Sequence, residues 1–519
     1  MRKGIFFLIL DGFGIGVEDL SNPIYLAKMN NFFKFCKNYP FGILQASGPS
    51  VGLGWGEAGN CEIGHLTLGC GRAIFQDYIR ILNQIKDGSF YENKILKDSL
   101  NFAKLNKKRI HLLGVLGYNI HETPIDLWKA TLDFFKRYDA EVILHIFVDN
   151  SSNNGFLNVL KEIEFFLDKN IKLGTIVGSS YALDRKKNWL IKTQQAFNLI
   201  AKNEGKFLDL NEFKNFILNS YKDENFKLEN LRPTVLNKNS YIQEGDVLIF
   251  LNLNEDSIFQ LAKSFLESDE SFGYYKRELP NELYVITVTR YPISKPKYQI
   301  KTILEEIKIE THLTKELFLK EKNIFKITES AKSINLNFHF NGYISEPYPN
   351  EYRKIMPPDD IISNPLLNTV EIFDNVIQAI LDGIYDLIIA NIAAPDLVGH
   401  TGDINIAIKL LKDLDEILND YLEKIISYNW TVILTSDHGN IERMFFPETG
   451  RAQKLHDPNP VPFLIIRRGF EREKSDGQFK YQLKNSIGSL ADVAPTILWF
   501  FDIEKPDWML GKNLVNFIF

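Results

Sequence analysis

Ile5-Phe6-Phe7-Leu8-Ile9-Leu10-Asp11-Gly12 is the stretch that decides the fold. An unbroken apolar run of this kind reads as a strand buried on both faces, as in parallel sheets covered by helices. It ends in a carboxylate and a glycine, so the strand would deliver Asp11 to a turn at its carboxyl end. With Met1-Arg2-Lys3 in front, the run imitates a secretory leader. It stops at Leu10, however, short of the ~7–15 apolar residues of such a segment, and we read it as a first strand.

Outward from this strand, apolar runs alternate with amphipathic helical runs along the whole chain, which predicts an α/β architecture with mainly parallel sheets. Two strand sets separate. One comprises residues 5–10, 387–391, 431–435 and 462–466. The other lies between, at 110–115, 142–147, 173–177, 247–251 and 284–288. Helices are expected at 126–138, 156–168, 257–266 and 371–381, the last capped by Gly383. After Asp403, Ala407, Leu410, Leu411, Leu414, Leu418 and Leu422 keep i, i+3, i+4 spacing and predict one buried helix face. Residues 290–298 carry two prolines and read as a linker.

The 519 residues exceed what one core holds, so two domains are expected. A net charge of −6 gives no electrostatic case for nucleic acid or an anionic membrane. No run approaches the ~18 apolar residues of a membrane span. Three cysteines, Cys36, Cys61 and Cys70, are too few for a disulfide framework and fit a reducing, cytoplasmic setting.

Four segments carry candidate chemistry, each at a strand's carboxyl end or in a glycine-rich turn, where open α/β sheets bind ligands. Asp11-Gly12 closes the first strand. Gly56-Glu57-Ala58-Gly59-Asn60-Cys61-Glu62-Ile63-Gly64-His65 reads as a strained loop entering a helix, a place for a nucleophile near backbone N–H groups. In the third, Asp396 and His400 are four residues apart, so one turn brings both to one ion. In the fourth, Asp437-His438-Gly439 ends a strand, and His456 adds another imidazole. A carboxylate and imidazole set suits Zn²⁺ or Mn²⁺.

Asp11-Gly12-Phe13-Gly14, Gly59-Asn60-Cys61-Glu62-Ile63-Gly64-His65, Pro395-Asp396-Leu397-Val398-Gly399-His400-Thr401-Gly402 and Ser436-Asp437-His438-Gly439-Asn440 resemble the cofactor-independent phosphoglycerate mutases of the alkaline phosphatase superfamily, in order and spacing. The resemblance implies a discontinuous phosphatase-like metal-binding domain, residues 1–76 and 298–519, and an inserted transferase-like substrate domain, residues 77–297. It implies two divalent metal ions, Mn ahead of Zn, and no organic cofactor. One ion would be held by Asp396, His400 and His456, the other by Asp11, Asp437, His438 and the nucleophile position Cys61. His121, Arg185 and Lys332 would bind substrate. The implied activity is interconversion of 2- and 3-phosphoglycerate through a phosphoenzyme, by a monomer acting on a small phosphorylated substrate.

The chain departs from the family pattern in specific places. The family has serine at Cys61. Its Asp-Gly-Arg-Asp stands here as Asp149-Asn150-Ser151-Ser152. Its Gly-Arg-Tyr-Tyr-Ala-Met-Asp-Arg stands as Gly178-Ser179-Ser180-Tyr181-Ala182-Leu183-Asp184-Arg185. Its Asn-Phe-Arg-Pro-Asp-Arg stands as Asn252-Leu253-Asn254-Glu255-Asp256-Ser257. Bidentate arginine contacts to carboxylate or phosphate are not replaced by Asn or Ser. Two further readings therefore stand beside the mutase: a metal-dependent phosphohydrolase or phosphotransferase on another substrate, and a catalytically silent homologue.

Overall fold

The computed structural model describes residues 4–150 and 155–518 and divides into two compact units, Met1–Phe75 with Lys308–Phe519, and Gln76–Ile307. The expected boundaries were after residues 76 and 297. The second falls later because Ile300–Thr302 is a strand that pairs in parallel with Tyr284–Thr287. Residues 290–298 are correspondingly not a linker. Tyr291 and Tyr298 are buried in that unit's core, and their hydroxyls donate to Asn252 O at 2.8 Å and Pro280 O at 2.6 Å.

The first unit carries an eight-stranded sheet in the order Glu351–Met356, Ile324–Glu329, Leu387–Ile392, Ile5–Leu10, Thr431–Thr435, Val461–Ile466, Phe41–Gln45, Ser486–Ser489. Ile5–Leu10 is fully buried and pairs in parallel on both sides, with Leu387–Ile392 and Thr431–Thr435. Val461–Ile466 runs antiparallel to both its neighbours. The central strands are therefore parallel, and their carboxyl ends, at Glu329, Ile392, Leu10 and Thr435, lie along one edge.

Helices cover the sheet with the faces their spacing dictates. The 24-residue helix Ile404–Ser427 buries Ala407, Leu410, Leu411, Leu414, Leu418 and Leu422, and the Asp403 side chain caps its start. Thr369–Asp382 stops at Gly383, whose φ of +68° is the left-handed C-cap.

The second unit has its own eight-stranded sheet, ordered Ile300–Thr302, Tyr284–Thr287, Val247–Phe250, Ile110–Val115, Val142–Val148, Ile171–Gly178, Thr234–Val235, Lys206–Phe207. All neighbours are parallel except Ile171–Gly178 with Thr234–Val235. Both units are thus α/β with parallel-dominated sheets. No helix of the described residues is long and apolar enough to cross a membrane.

Candidate metal centre

Four parallel strands aim their carboxyl ends at one place in the first unit. Ile5–Leu10 ends at Asp11. Leu387–Ile392 leads into the short helix Ala394–Gly399, which presents Asp396 in its first turn, with His400 at its C-cap. Thr431–Thr435 ends in Ser436-Asp437-His438. Ile324–Glu329 ends in the turn Ser330–Lys332. Cys61 is the first residue of the helix Cys61–Cys70, whose N-cap Asn60 accepts from Ile63 N at 2.9 Å. An N-terminal helical position favours an anion at the sulfur and at groups facing it.

Close backbone approach makes this convergence possible. Gly12 has φ +68°, and a Cβ there would lie 2.7 Å from Asp396 Cβ. A Cβ on Gly64 would lie 2.4 Å from Asp437 O, so the helix carrying Cys61 packs directly on the strand end carrying Asp437.

The ligand atoms of Asp11, Cys61, Asp437 and His438 all lie within 4.8 Å of one another, and so do those of Cys61, Asp396, His438 and His456. Cys61 and His438 are common to both groups, and Cys61 Sγ is 3.1 Å from His438 Nε2 and 3.7 Å from Asp11 Oδ1. His400 belongs to neither group, but its Nε2 lies 3.4 Å from Asp396 Oδ1 and 3.2 Å from His456 Nε2. Lys332 sits inside the cluster rather than at its rim. Its ammonium donates to Asp11 Oδ1 at 2.8 Å, Cys61 Sγ at 3.0 Å and Asp396 Oδ2 at 2.5 Å.

The chemistry of this donor set fits divalent cations. Nδ1 of His400, His438 and His456 each faces a backbone carbonyl, of Lys454, Gly439 and Gly59, at 2.7, 3.2 and 3.0 Å. With the proton held on Nδ1, each Nε2 lone pair points inward, the tautomer of a metal ligand. Burial, joined by the charge of Asp437, raises the Asp11 carboxyl above its usual range despite Lys332. Burial, Asp11 and Asp437 likewise push the Cys61 thiol up. Asp396 is also penalised by burial, but His400, His456, His438 and Lys332 outweigh that and hold it low. Without metal, protons and one lysine balance these acids. Cations displace such protons on binding and leave the thiolate and carboxylates ionised.

A supporting shell orients the donors, and most of it was not singled out from the sequence. Asn391 Nδ2 donates to Asp11 Oδ2 at 2.9 Å, and Asn440 Nδ2 to Asp396 Oδ1 at 2.7 Å. His65, fully buried one turn after Cys61, places Nδ1 2.9 Å from Cys61 O and 3.1 Å from Asp437 Oδ2, and Nε2 3.1 Å from Asn391 Oδ1. Burial lowers its proton affinity, but Asp437 and then Asp11 more than offset this and raise it.

The remaining candidates lie in the second unit. His121 is exposed on the turn after Ile110–Val115, with Tyr78 edge-on at 4.9 Å between ring centroids. The side chain of Arg185 is 58% exposed, and its Nη2 lies 3.9 Å from Glu122 Oε1. Ser179 begins the short helix Ser179–Ala182. Ser151 and Ser152 lie outside the described residues.

A sequence model of the Metalloenzyme superfamily matches residues 3–505. The chain is 32% identical over 530 residues to the 2,3-bisphosphoglycerate-independent phosphoglycerate mutase of Clostridioides difficile strain 630, covering 99% of this chain and 100% of that protein. It is 33% identical over 534 residues to the protein of the same name from Clostridium novyi strain NT, covering 99% of each. Among solved structures, Leishmania mexicana phosphoglycerate mutase at low cobalt concentration matches with a TM-score of 0.62 at 21% identity, covering 99% of this chain and 97% of that one. That likeness is one of fold.

Proposed function

We propose a function on one premise: the chain belongs to the Metalloenzyme superfamily and, within it, to the 2,3-bisphosphoglycerate-independent phosphoglycerate mutases. It is an isomerase that interconverts 2- and 3-phosphoglycerate by moving the phosphoryl group onto itself and back, a glycolytic and gluconeogenic step. The observation that carries this reading is Cys61 Sγ, shared by two groups of carboxylate and imidazole donors and 3.0 Å from an ammonium. Two divalent ions fit, and we place Mn ahead of Zn on the three carboxylates, Asp11, Asp396 and Asp437, that stand with the three imidazoles. Asp396, His400 and His456 would hold one; Asp11, Asp437, His438 and Cys61 would hold the other. When bound, the ions supply positive charge that neutralises phosphoryl oxygens and lowers the thiol's proton affinity.

The chain's own residues do the rest. Cys61 sulfur attacks phosphorus, an S–P bond forms, the P–O ester bond breaks, and the leaving alkoxide takes a proton. The other hydroxyl of the glycerate then attacks phosphorus, restoring the sulfur and giving its proton up. Lys332 sits against the attacking sulfur and would meet the phosphoryl oxygens, a charge-stabilising contact in a transfer governed by electrostatics and alignment. The second unit, with His121 and Arg185, would hold the glycerate. Three unpaired cysteines support a cytoplasmic enzyme. We keep a monomer as the oligomeric state.

The test is the interconversion assay on chelator-stripped and Mn²⁺-reconstituted protein. The stripped protein should be inactive and the reconstituted one should form 2-phosphoglycerate from 3-phosphoglycerate. Reconstituted protein that releases only phosphate would establish the phosphohydrolase instead, and complete inactivity the silent homologue.

A further inference from the structure

Cys61 and two of the carboxylates around it are fastened from behind by two buried residues that take no part in the reaction described so far. His65 lies one turn after Cys61 on the helix Cys61–Cys70, and Asn391 is the penultimate residue of the strand Leu387–Ile392. Neither side chain reaches solvent. His65 Nδ1 faces two acceptors, Cys61 O at 2.9 Å and Asp437 Oδ2 at 3.1 Å, and its Nε2 faces Asn391 Oδ1 at 3.1 Å. That amide is oriented by its other end, since Nδ2 donates to Asp11 Oδ2 at 2.9 Å. These partners of the imidazole are all acceptors, so the ring donates from both nitrogens.

A buried polar side chain costs free energy unless its hydrogen bonds are made, and any nearby carbonyls would satisfy a histidine that merely completed the core. The partners here are more specific. The bracket runs from Asp437 through His65 and Asn391 to Asp11, and joins the helix of Cys61 to the ends of three strands, Ile5–Leu10, Leu387–Ile392 and Thr431–Thr435. It takes Oδ2 of Asp11 and leaves Oδ1 on the side of Cys61 Sγ, 3.7 Å away. Gly12 N holds the other oxygen of Asp437, Oδ1, at 3.1 Å. Movement of the helix away from the strands would break these contacts and carry the sulfur off with it. The donors assigned to the other ion are oriented from elsewhere, Asp396 by Asn440, His400 by Lys454 O and His456 by Gly59 O. Partners behind metal ligands fix ligand orientation and are worth roughly 10–100-fold in metal affinity.

We propose that His65 is a positioning residue which, with Asn391, locks Asp11, Asp437 and the start of the Cys61 helix into one set, and thereby sets the affinity of the ion at the sulfur separately from that of the ion at Asp396, His400 and His456. This deepens the proposed function and rests on its division of the ligands between two ions. His65 touches no reacting atom. Its effect reaches the reaction through the sulfur, whose line of attack on phosphorus depends on where the helix start is held.

The experiment measures metal binding without turnover. Co²⁺ is the probe, because an ion bound to a thiolate gives a sulfur-to-cobalt charge-transfer absorption that carboxylates and imidazoles do not. It is titrated into full-length protein stripped with chelator, and bound metal is counted by elemental analysis. Cys61→Ser identifies the band as this sulfur's. We expect two ions in the unmutated protein, one of them giving the band. His65→Ala should weaken that ion roughly 10–100-fold and leave the other unchanged. Asn391→Ala should weaken the same ion, and the double variant should lose little beyond the worse single one, since either removal opens the bracket. Unchanged binding of both ions in His65→Ala, equal weakening of both as a merely structural residue would cause, or losses that add in the double variant would overturn the proposal. If His65→Ala fails to fold by circular dichroism, His65→Asn is measured beside Asn391→Ala. It keeps a donor towards Asp437 and gives up the Asn391 end, so the same ion should weaken, and full affinity would overturn the proposal. Fewer than two ions in the unmutated protein would overturn the metal assignment itself, and the proposal with it, whatever the variants do.

Discussion

Cys61 puts a soft sulfur where two groups of carboxylate and imidazole donors meet. Its removal should abolish the transfer step. We expect Cys61→Ala to lower isomerisation by about a thousandfold or more, as loss of a covalent nucleophile does. A Cys61→Ala enzyme of near-normal turnover would remove the sulfur from the reaction. Asp437→Ala should instead cut the metal content from about two equivalents to about one, because it takes a buried carboxylate from a single group. Full occupancy in that variant would place the second ion elsewhere. At this scale, residue type and position after a strand singled out Asp11, Asp396, His400, Asp437 and His438, with His456 ahead of another strand, and their side chains lie close together in the structure. Cys61 was visible through its glycine-rich loop. His65, Asn391 and Asn440 were in plain sight inside or beside those segments, yet a lone buried histidine or asparagine has no local signature. Their roles depend on contacts made across the sheet, such as Asn391 to Asp11 at 2.9 Å, between residues far apart in sequence.

Among the elements, the strands read as continuous apolar runs were found, and those that broke the pattern were not. Ile324–Glu329 carries a buried lysine, Lys326, paired with Glu351 at 3.1 Å on the neighbouring strand Glu351–Met356. Each charge hides its own strand in the sequence and is explained only by the other. A similar polar thread crosses the second unit. Asp246 Oδ2 lies 3.0 Å from His111 Nε2, His111 Nδ1 lies 2.9 Å from His145 Nε2, and His145 Nδ1 lies 2.8 Å from Thr175 Oγ. Asp246 accepts, so His111 carries its proton on Nε2, His145 donates to His111, and Thr175 donates to His145. A further proton on His111 Nδ1 would set two donors face to face, whereas one on His145 Nδ1 would make Thr175 Oγ the acceptor. Burial, above all, lowers the proton affinity of both histidines, for His111 against the opposing pull of Asp246. In the unfolded chain they take up protons near the ordinary value of about 6.5, and folded they do so only at lower pH. The stability they contribute is therefore complete above about pH 6.5 and is lost progressively as the pH falls below it toward the lowered folded values. Thermal unfolding of metal-free protein between pH 8 and pH 5 should show this slope, and His145→Val should flatten it. Identical slopes with and without His145 would show that the pair does not titrate on unfolding.

For the whole molecule, the α/β class and the mainly parallel sheets followed from strand–helix alternation, while the end of the inserted unit did not. Proline-rich residues 290–298 look like a linker because their buried tyrosines are anchored by contacts invisible in sequence, and the short strand Ile300–Thr302 has no pattern of its own. The two units also differ in how closely they keep the family's chemistry. The first retains the candidate ligands around Cys61. The second has lost arginines at Asn254, Ser257 and Ser179, and each lost charge-assisted hydrogen bond is worth roughly 1.5–3 kcal/mol. A glycerate held this weakly would leave before the phosphoryl group returns to it, and water would take its place. The central claim, phosphoryl transfer by an intact metal centre with a weakened hold on the glycerate, is tested most directly by one ratio: free phosphate released divided by 2-phosphoglycerate formed, measured on 3-phosphoglycerate with Mn²⁺-loaded enzyme beside the Clostridioides difficile relative. The account predicts both products, slower isomerisation than the relative and a higher ratio. Fast isomerisation with no free phosphate would contradict it.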